Sequence, residues 1–413
     1  MTLEAAPTHT WPLAQPRRRV PRAFTPADVA AFDAICEPAS LRYVLTPGST
    51  TTNAADYPLA REVASNIPIY DAADLRHLGP EARDAAMGEL HDVLLTGPGV
   101  YVVRDAVPAA IVDRATAALE RIIKREEGTG SGGGDHFAAP GHNSRVWNAF
   151  GKHAAEDPAS FAAYYANGVL ALCFESWLGE AWAVTAQVNV VRPGGRAQIV
   201  HRDYHLGFQS PATTSRVPYL SQLASQLLTL QGAVAHTDMP LESGPTLLLP
   251  YSQTYGPGYE AYSVPAFQDV FAKRSVQLPL RKGDALFFNP ALFHAAGSNT
   301  TADLHRAANL LQVSAAWGKP MESVDRAKVL LDVWDELVAT WRDGSLSHAD
   351  KDALVAACCD GYSFPTNLDK DPPPKDGYCP APMLDVVRCA LGRGANKVEA
   401  AELLAQLAEK RRA

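Results

Sequence analysis

Along this 413-residue chain the spacing of apolar positions changes from helical to alternating and back again. In the first part, Ile111, Ala115, Leu119, Ile122 and Ile123 line one face of a predicted helix from Ile111 to Glu127, and Glu81 to Leu95 is amphipathic in the same way. Thr25-Pro-Ala-Asp opens an earlier helix that runs to about Cys36, because a threonine cap followed by proline suits a first turn. Asp157 to Leu178 is expected to be one further helix. Residues 1 to about 20 are expected to form a loose arm and 37–56 a loop. Gly97-Pro-Gly99 then releases the strand Val100-Tyr-Val-Val-Arg104.

From Trp182 the grain becomes that of strands. Ala183–Val191 is followed by Leu227–Ala235, Thr246–Pro250, Val276–Leu280, Asp284–Asn289 and Leu304–Ala315, each bounded by turn residues. Helical segments do not alternate regularly with them, so an antiparallel double-sheet barrel is expected in preference to a parallel βαβ sheet, with a ligand in its mouth. After Trp317-Gly-Lys-Pro320 the spacing is helical again: Asp325 to Trp341, a helix from Ser347, then Met383–Leu391 and Lys397–Arg412 beyond an irregular Phe364–Pro380. Three regions follow: an N-terminal arm and helices over 1–94, a core over 95–318 and a C-terminal helical extension over 319–413. The outer regions are expected to pack on the core.

Composition narrows the classes of function. With 47% hydrophobic and 20% charged residues the chain can bury a large core. A net charge of −8 gives no footprint for nucleic acid or an anionic membrane. The most apolar window, Val169 to Val191, is broken by Glu175 and Glu180, so no membrane span is expected. None of the six cysteines forms a C-x-x-C pair, which suits reduced thiols and a cytoplasmic location.

The chemistry centres on Gln198-Ile-Val-His-Arg-Asp-Tyr-His205. On an extended strand His201 and Asp203 point the same way. With His294 they make two imidazoles and a carboxylate, the ligand set of non-haem iron oxygenases. Arg306 lies on a strand whose inward face carries Ala308, Leu310, Gln312 and Ser314 as well; a buried guanidinium there calls for an anion, best a carboxylate. Two other H-x-D pairs compete. His236 and Asp238 run into the turn Glu242-Ser-Gly-Pro245, where a carboxylate ties down backbone, and His348 and Asp350 stand at a helix start. Gly128-Thr-Gly-Ser-Gly-Gly-Gly134 follows a helix rather than a strand, so 128–150 is expected to be a mobile loop or lid, with His136, Asn143, Arg145 and Trp147 as candidate lining.

Taken in order, His201-x-Asp203, Glu242-Ser-Gly-Pro-Thr-Leu-Leu-Leu-Pro-Tyr-Ser-Gln253, Lys282-Gly-Asp-Ala-Leu-Phe-Phe288, and His294 with Gly297-Ser-Asn299 and Arg306 resemble motifs of the phytanoyl-CoA dioxygenase family. The resemblance covers about 95 to 317. It implies a double-stranded β-helix (jelly-roll, cupin-like; mainly β with helices, α+β) and an Fe(II)- and 2-oxoglutarate-dependent dioxygenase. It implies Fe(II) on His201, Asp203 and His294, 2-oxoglutarate and O2 as co-substrates, and Arg306 on the distal carboxylate. The expected outcome is hydroxylation of a small organic molecule with release of succinate and CO2. Desaturation, epimerisation or ring closure on the same core, a cupin-like enzyme without 2-oxoglutarate and a non-enzymatic barrel are the alternatives.

This chain departs from the family pattern at Pro250-Tyr-Ser-Gln253 and at Ala296, where serine is frequent. A second hydrogen bond to 2-oxoglutarate therefore falls to Ser298, Thr246 or Gln198. Asp203 argues against halogenation, which needs a small residue there, and no Lys/Arg cluster suits the phosphates of coenzyme A. His205 is expected outside the ligand set. The C-terminal helices pack on the barrel, line its mouth or form a homodimer.

Overall fold

Strand positions that are apolar on both faces have two cores to serve, and the strand Val100–Arg104 shows the division. Val100 and Val102 point into an inner cluster with Ile67, Ile69, Leu280, Leu286 and Phe288. Tyr101 and Val103 point outward into a larger cluster of helix-packing residues. The computed structural model describes residues 22–36, 56–128, 143–203 and 205–412. Their strands are β1 (Glu62–Ala64), β2 (Ile67–Asp71), β3 (Val100–Arg104), β4 (Asn143–Val146), β5 (Trp182–Val191), β6 (Thr229–Ala235), β7 (Leu247–Leu249), β8 (Ala285–Phe288), β9 (Phe293–Ala295) and β10 (Arg306–Ala315).

Eight of them form one sheet in the order β1-β2-β3-β8-β6-β10-β5-β4. Neighbours are antiparallel apart from β2 and β3, which run parallel. The opposing sheet is built on β7 and β9. Bridges at Leu248–Val276 and His201–His294 widen it on either side, and Met239–Leu280 closes one end. This is the expected double-sheet barrel of a double-stranded β-helix, α+β with helices around it. Gly232 on β6 is required by close packing, because a Cβ there would stand 2.6 Å from the Phe287 ring.

The helices cover the outer face of the large sheet. Leu90 and Val93 from the helix Pro80–Leu95, Leu172 and Phe174 from Gly168–Leu178, and Leu330, Trp334, Leu354 and Leu391 from the C-terminal helices share one cluster with Phe287 and Leu311. Among the described residues no helix is long and apolar enough to cross a membrane.

Several expected elements differ. The helix foreseen over Asp157–Leu178 is two, Pro158–Tyr165 and Gly168–Leu178. Asn167 breaks it: its Oδ1 accepts the N–H groups of Val169 and Leu170 at 3.1 Å, and its Nδ2 donates to Ala106 O at 2.8 Å. A side chain that satisfies backbone donors in this way starts a new helix. Asp325–Trp341 likewise divides at Val333 into Arg326–Asp332 and Trp334–Arg342, so that the Trp334 indole N–H reaches Ala395 O at 3.1 Å. Val276–Leu280 is no continuous strand; only its end residues bridge.

The expected 128–150 loop is corrected in its second part, where β4 pairs with β5 and the helix Ala149–Glu156 follows. Residues 129–142, with His136, lie outside the described residues, as do the 1–20 arm and nearly all of the 37–56 loop. Strands β1 and β2 and the helices Tyr219–Ser225 and Pro265–Arg274 were not foreseen.

Candidate metal centre and its cavity

His294 is the middle residue of β9, and it exchanges both backbone hydrogen bonds with His201, at 3.0 and 3.1 Å. The Asp203 N–H donates to Pro290 O at 3.0 Å and the Gln198 N–H to Ala296 O at 2.9 Å. This register brings His201, Asp203 and His294 onto one side, with one ligand atom from each lying within 4.8 Å of the others. His201 Nε2 stands 3.6 Å from Asp203 Oδ1, and His294 Nε2 stands 3.8 Å from Oδ2.

Both imidazoles are oriented by their own backbone. Nδ1–H of His201 donates to Ile199 O at 2.8 Å, and Nδ1–H of His294 donates to Leu292 O at 2.9 Å. The Nε2 lone pairs are thereby turned toward the carboxylate, the arrangement a metal-binding histidine needs. The Gln231 amide donates to Asp203 Oδ2, whereas Oδ1 is buried with no hydrogen-bond partner among the described residues. Burial pushes the Asp203 carboxyl up, but the two imidazoles and the Gln231 amide outweigh it and hold it at about 2. Burial and the neighbouring His294 hold His201 below the usual imidazole range. Two imidazoles that turn Nε2 inward toward a buried carboxylate with one oxygen left over are a set of donors suited to a divalent cation.

These residues open on a cavity of about 850 Å3, lined also by Gln198, Thr246 and Arg306. Of the five residues expected on one face of β10, Arg306, Ala308, Leu310 and Gln312 line it and Ser314 does not. Arg306 is buried, and among the described residues its guanidinium donates to the carbonyls of Ser243, at 3.2 Å, and Gly297, at 3.5 Å. No carboxylate pairs with it among the described residues, and burial pushes it down to about 10. Ser298 is not brought to the cavity. It is exposed, and its hydroxyl accepts the Ala197 N–H at 2.8 Å.

A second guanidinium, that of Arg145, lines the same cavity from β4, where it pairs with Asn189 of β5, and its charge helps to lower the His201 pKa. Trp147 stacks on it at 5.5 Å, and Asn143 is buried at the start of the strand. The competing motifs go elsewhere. His236 is buried with Nδ1 2.9 Å from Thr116 Oγ1 and Nε2 3.1 Å from the Tyr164 hydroxyl, while Asp238 accepts the Lys282 N–H at 2.9 Å. Asp350 accepts the Gly168 N–H at 2.8 Å. His205 Nε2 lies 3.0 Å from Lys319 O, on the segment that leaves β10.

Residues 96–308 match the family described as phytanoyl-CoA dioxygenase (PhyH). The dioxygenase cdmA of Talaromyces verruculosus is 27% identical over 267 residues, 62% of this chain and 83% of that protein. The dioxygenase trt7 of Aspergillus terreus is 29% identical over 133 residues, 32% of this chain and 41% of its own length. Among solved structures, the epimerase SnoN in complex with Fe3+, alpha ketoglutarate and nogalamycin RO aligns at 19% identity over 56% of this chain and 85% of its own, with a TM-score of 0.40.

Proposed function

The chain belongs to the phytanoyl-CoA dioxygenase family of Fe(II)- and 2-oxoglutarate-dependent oxygenases, and from that premise we propose that His201, Asp203 and His294 hold the iron of an enzyme that hydroxylates a small organic molecule. The observation that carries the reading is the coincidence, in one cavity, of three converging ligand atoms and a buried guanidinium with no acidic partner among the described residues. Bound there, iron supplies activation of dioxygen coupled to decarboxylation of 2-oxoglutarate, so that one oxygen atom enters the substrate and succinate and CO2 leave.

The protein's part is geometry and charge. His201 and His294 present Nε2 because Ile199 and Leu292 hold their Nδ1–H groups. Asp203 presents Oδ1 because Gln231 engages Oδ2. Arg306 offers a planar fork to the distal carboxylate of 2-oxoglutarate. Arg145 lines the same cavity from β4. Of the three polar candidates, Thr246 and Gln198 line the cavity and remain partners for the co-substrate, with Gln198 Oε1 already accepting the Ala296 N–H at 3.2 Å.

The remaining wall is assigned to substrate: Phe208, Leu310 and Met321 are apolar, and Gln187 and Gln312 are neutral amides. Among the described residues that line it the lysines and arginines are Arg145 and Arg306, which form no basic cluster of the kind the phosphates of an acyl-CoA would need. Whether hydrogen removal ends in an alcohol, an alkene, an epimer or a ring depends on where the substrate carbon is held. Anaerobic loading with Fe(II) and 2-oxoglutarate, followed by exposure to O2 with a metabolite extract, tests the reading by mass. A gain of one oxygen matched by succinate supports hydroxylation. A loss of two hydrogens or an unchanged mass with succinate replaces hydroxylation by one of the other outcomes, and absence of succinate overturns the proposal.

A further inference from the structure

The residue between the two clustered ligands, Arg202, points to the opposite side of its segment and is only 1% exposed. It has no ion pair among the described residues. Its guanidinium donates to Ser252 O at 2.6 Å and to Tyr255 O at 3.1 Å. The faces of Tyr259 and Phe293 stand 5.0 and 5.1 Å from its central carbon. Burial pushes it down to about 10. A methionine or leucine would fill such a place without the cost of removing a cation from water. The arginine must therefore contribute something an apolar side chain cannot.

The need is visible in the backbone. Among the described residues the segment that carries His201 and Asp203 pairs with one strand only, through bonds to Pro290, His294 and Ala296. Backbone pairing on one side only leaves a segment free to twist, and a ligand pair two residues apart tolerates little twist. Arg202 is the tie from beneath. One guanidinium nitrogen, Nη2, donates to two carbonyls of one turn, and the plane is held between two rings. One of those rings, Phe293, directly precedes His294, so the same cage meets both ligand-bearing segments. Phe32, from the helix Pro26–Ile35, closes the cage at 4.9 Å from Phe293 and 5.2 Å from Tyr255. Gly258 leaves room for the guanidinium, since a Cβ there would lie 2.0 Å from its central carbon.

We propose that Arg202 is a positioning residue for the metal centre, which locks His201 and Asp203 against β9 by anchoring their segment in the cage of Tyr259, Phe293, Ser252 and Tyr255. This rests on the ligand assignment made above, and the test separates the two. The full chain, metal-free, is titrated anaerobically with Co(II), whose visible spectrum reports ligand geometry, and amide hydrogen exchange over 198–203 is followed in the metal-free protein.

In Arg202→Met the Co(II) dissociation constant is expected to rise by about 10–100-fold, the usual effect of losing a group that orients a ligand. Exchange over 198–203 should accelerate while β5 and β10 stay protected. Arg202→Lys, which keeps the charge and loses the fork, should recover only part of both. Gly258→Ala should reproduce the loss with Arg202 intact, and it carries the test by itself if Arg202→Met does not fold. Wild-type affinity, spectrum and exchange in the folded Arg202→Met or Gly258→Ala protein would overturn the proposal. If the wild type binds no Co(II), or His201→Ala binds it normally, the ligand assignment falls, and with it the metal-centre role, whatever the exchange shows about the anchor.

Discussion

The Gln231 side-chain amide donates to Oδ2 of Asp203, which leaves Oδ1 as the oxygen turned toward His201, 3.6 Å from its Nε2. Gln231 sits on β6 opposite Phe288 of β8 and Gln312 of β10, so the large sheet fixes how the carboxylate of the opposing segment stands. Replacing Gln231 with leucine keeps the volume and removes the donor. Metal affinity is expected to fall by about 10–100-fold with an unchanged far-UV circular dichroism spectrum. A Co(II) titration checks it, and an unchanged affinity would reduce Gln231 to part of the wall.

Arg306 is predicted to act on 2-oxoglutarate and not on the metal. Arg306→Met removes one side of a buried charge pair, a loss of about 2–5 kcal/mol in co-substrate binding. The KM for 2-oxoglutarate should rise accordingly while Co(II) affinity stays as in the wild type. Arg306→Lys should recover only part, because it keeps the charge but not the fork. A normal KM in Arg306→Met would place the distal carboxylate elsewhere.

The fold should weaken in mild acid through its buried histidines. Burial holds His236 at about 3 and His153 at about 4. In the unfolded chain each titrates near 6.5, so above that value both states are neutral and neither histidine alters stability. Below it only the unfolded chain takes up the proton. Each histidine then lowers stability by up to about 1.4 kcal/mol per pH unit until its folded pKa is reached. Urea unfolding of the wild type and of His236→Gln, compared at about pH 7 and about pH 5, should show a smaller acid loss in the variant. Equal losses would contradict a neutral buried His236.

Asn167 is predicted to be a stability residue, away from the chemistry. Asn167→Ala removes the cap of the helix Gly168–Leu178 and the bond to Ala106 O, at a cost of about 1–2 kcal/mol. Thermal unfolding should shift down with turnover of 2-oxoglutarate unchanged at low temperature.

What the sequence made legible follows from how local each signal is. The pair His201 and Asp203 could be read because alternation on an extended segment is a two-residue rule, and Arg306 because β10 is long enough to show which face is inward. The break at Asn167 is hidden in the sequence because its apolar neighbours keep helical spacing across it; the bonds that support it, from Asn167 to Ala106 O and from the Gly168 N–H to Asp350, reach far away in sequence. Arg145 was placed on a lid because β4 is four residues long and follows a glycine-rich stretch, so nothing local marks it as a strand; only pairing with β5 does. Arg202 was invisible for a related reason. The cage around it comes from residues 252–259 and 293, brought together by the barrel.

The most direct measurement of the central claim is the fate of isotopically labelled dioxygen given to the Fe(II)-loaded protein with 2-oxoglutarate. The account predicts succinate carrying one labelled oxygen atom per turnover, dependent on Fe(II) and abolished in His294→Ala. Unlabelled succinate, or turnover that persists in His294→Ala, would contradict it.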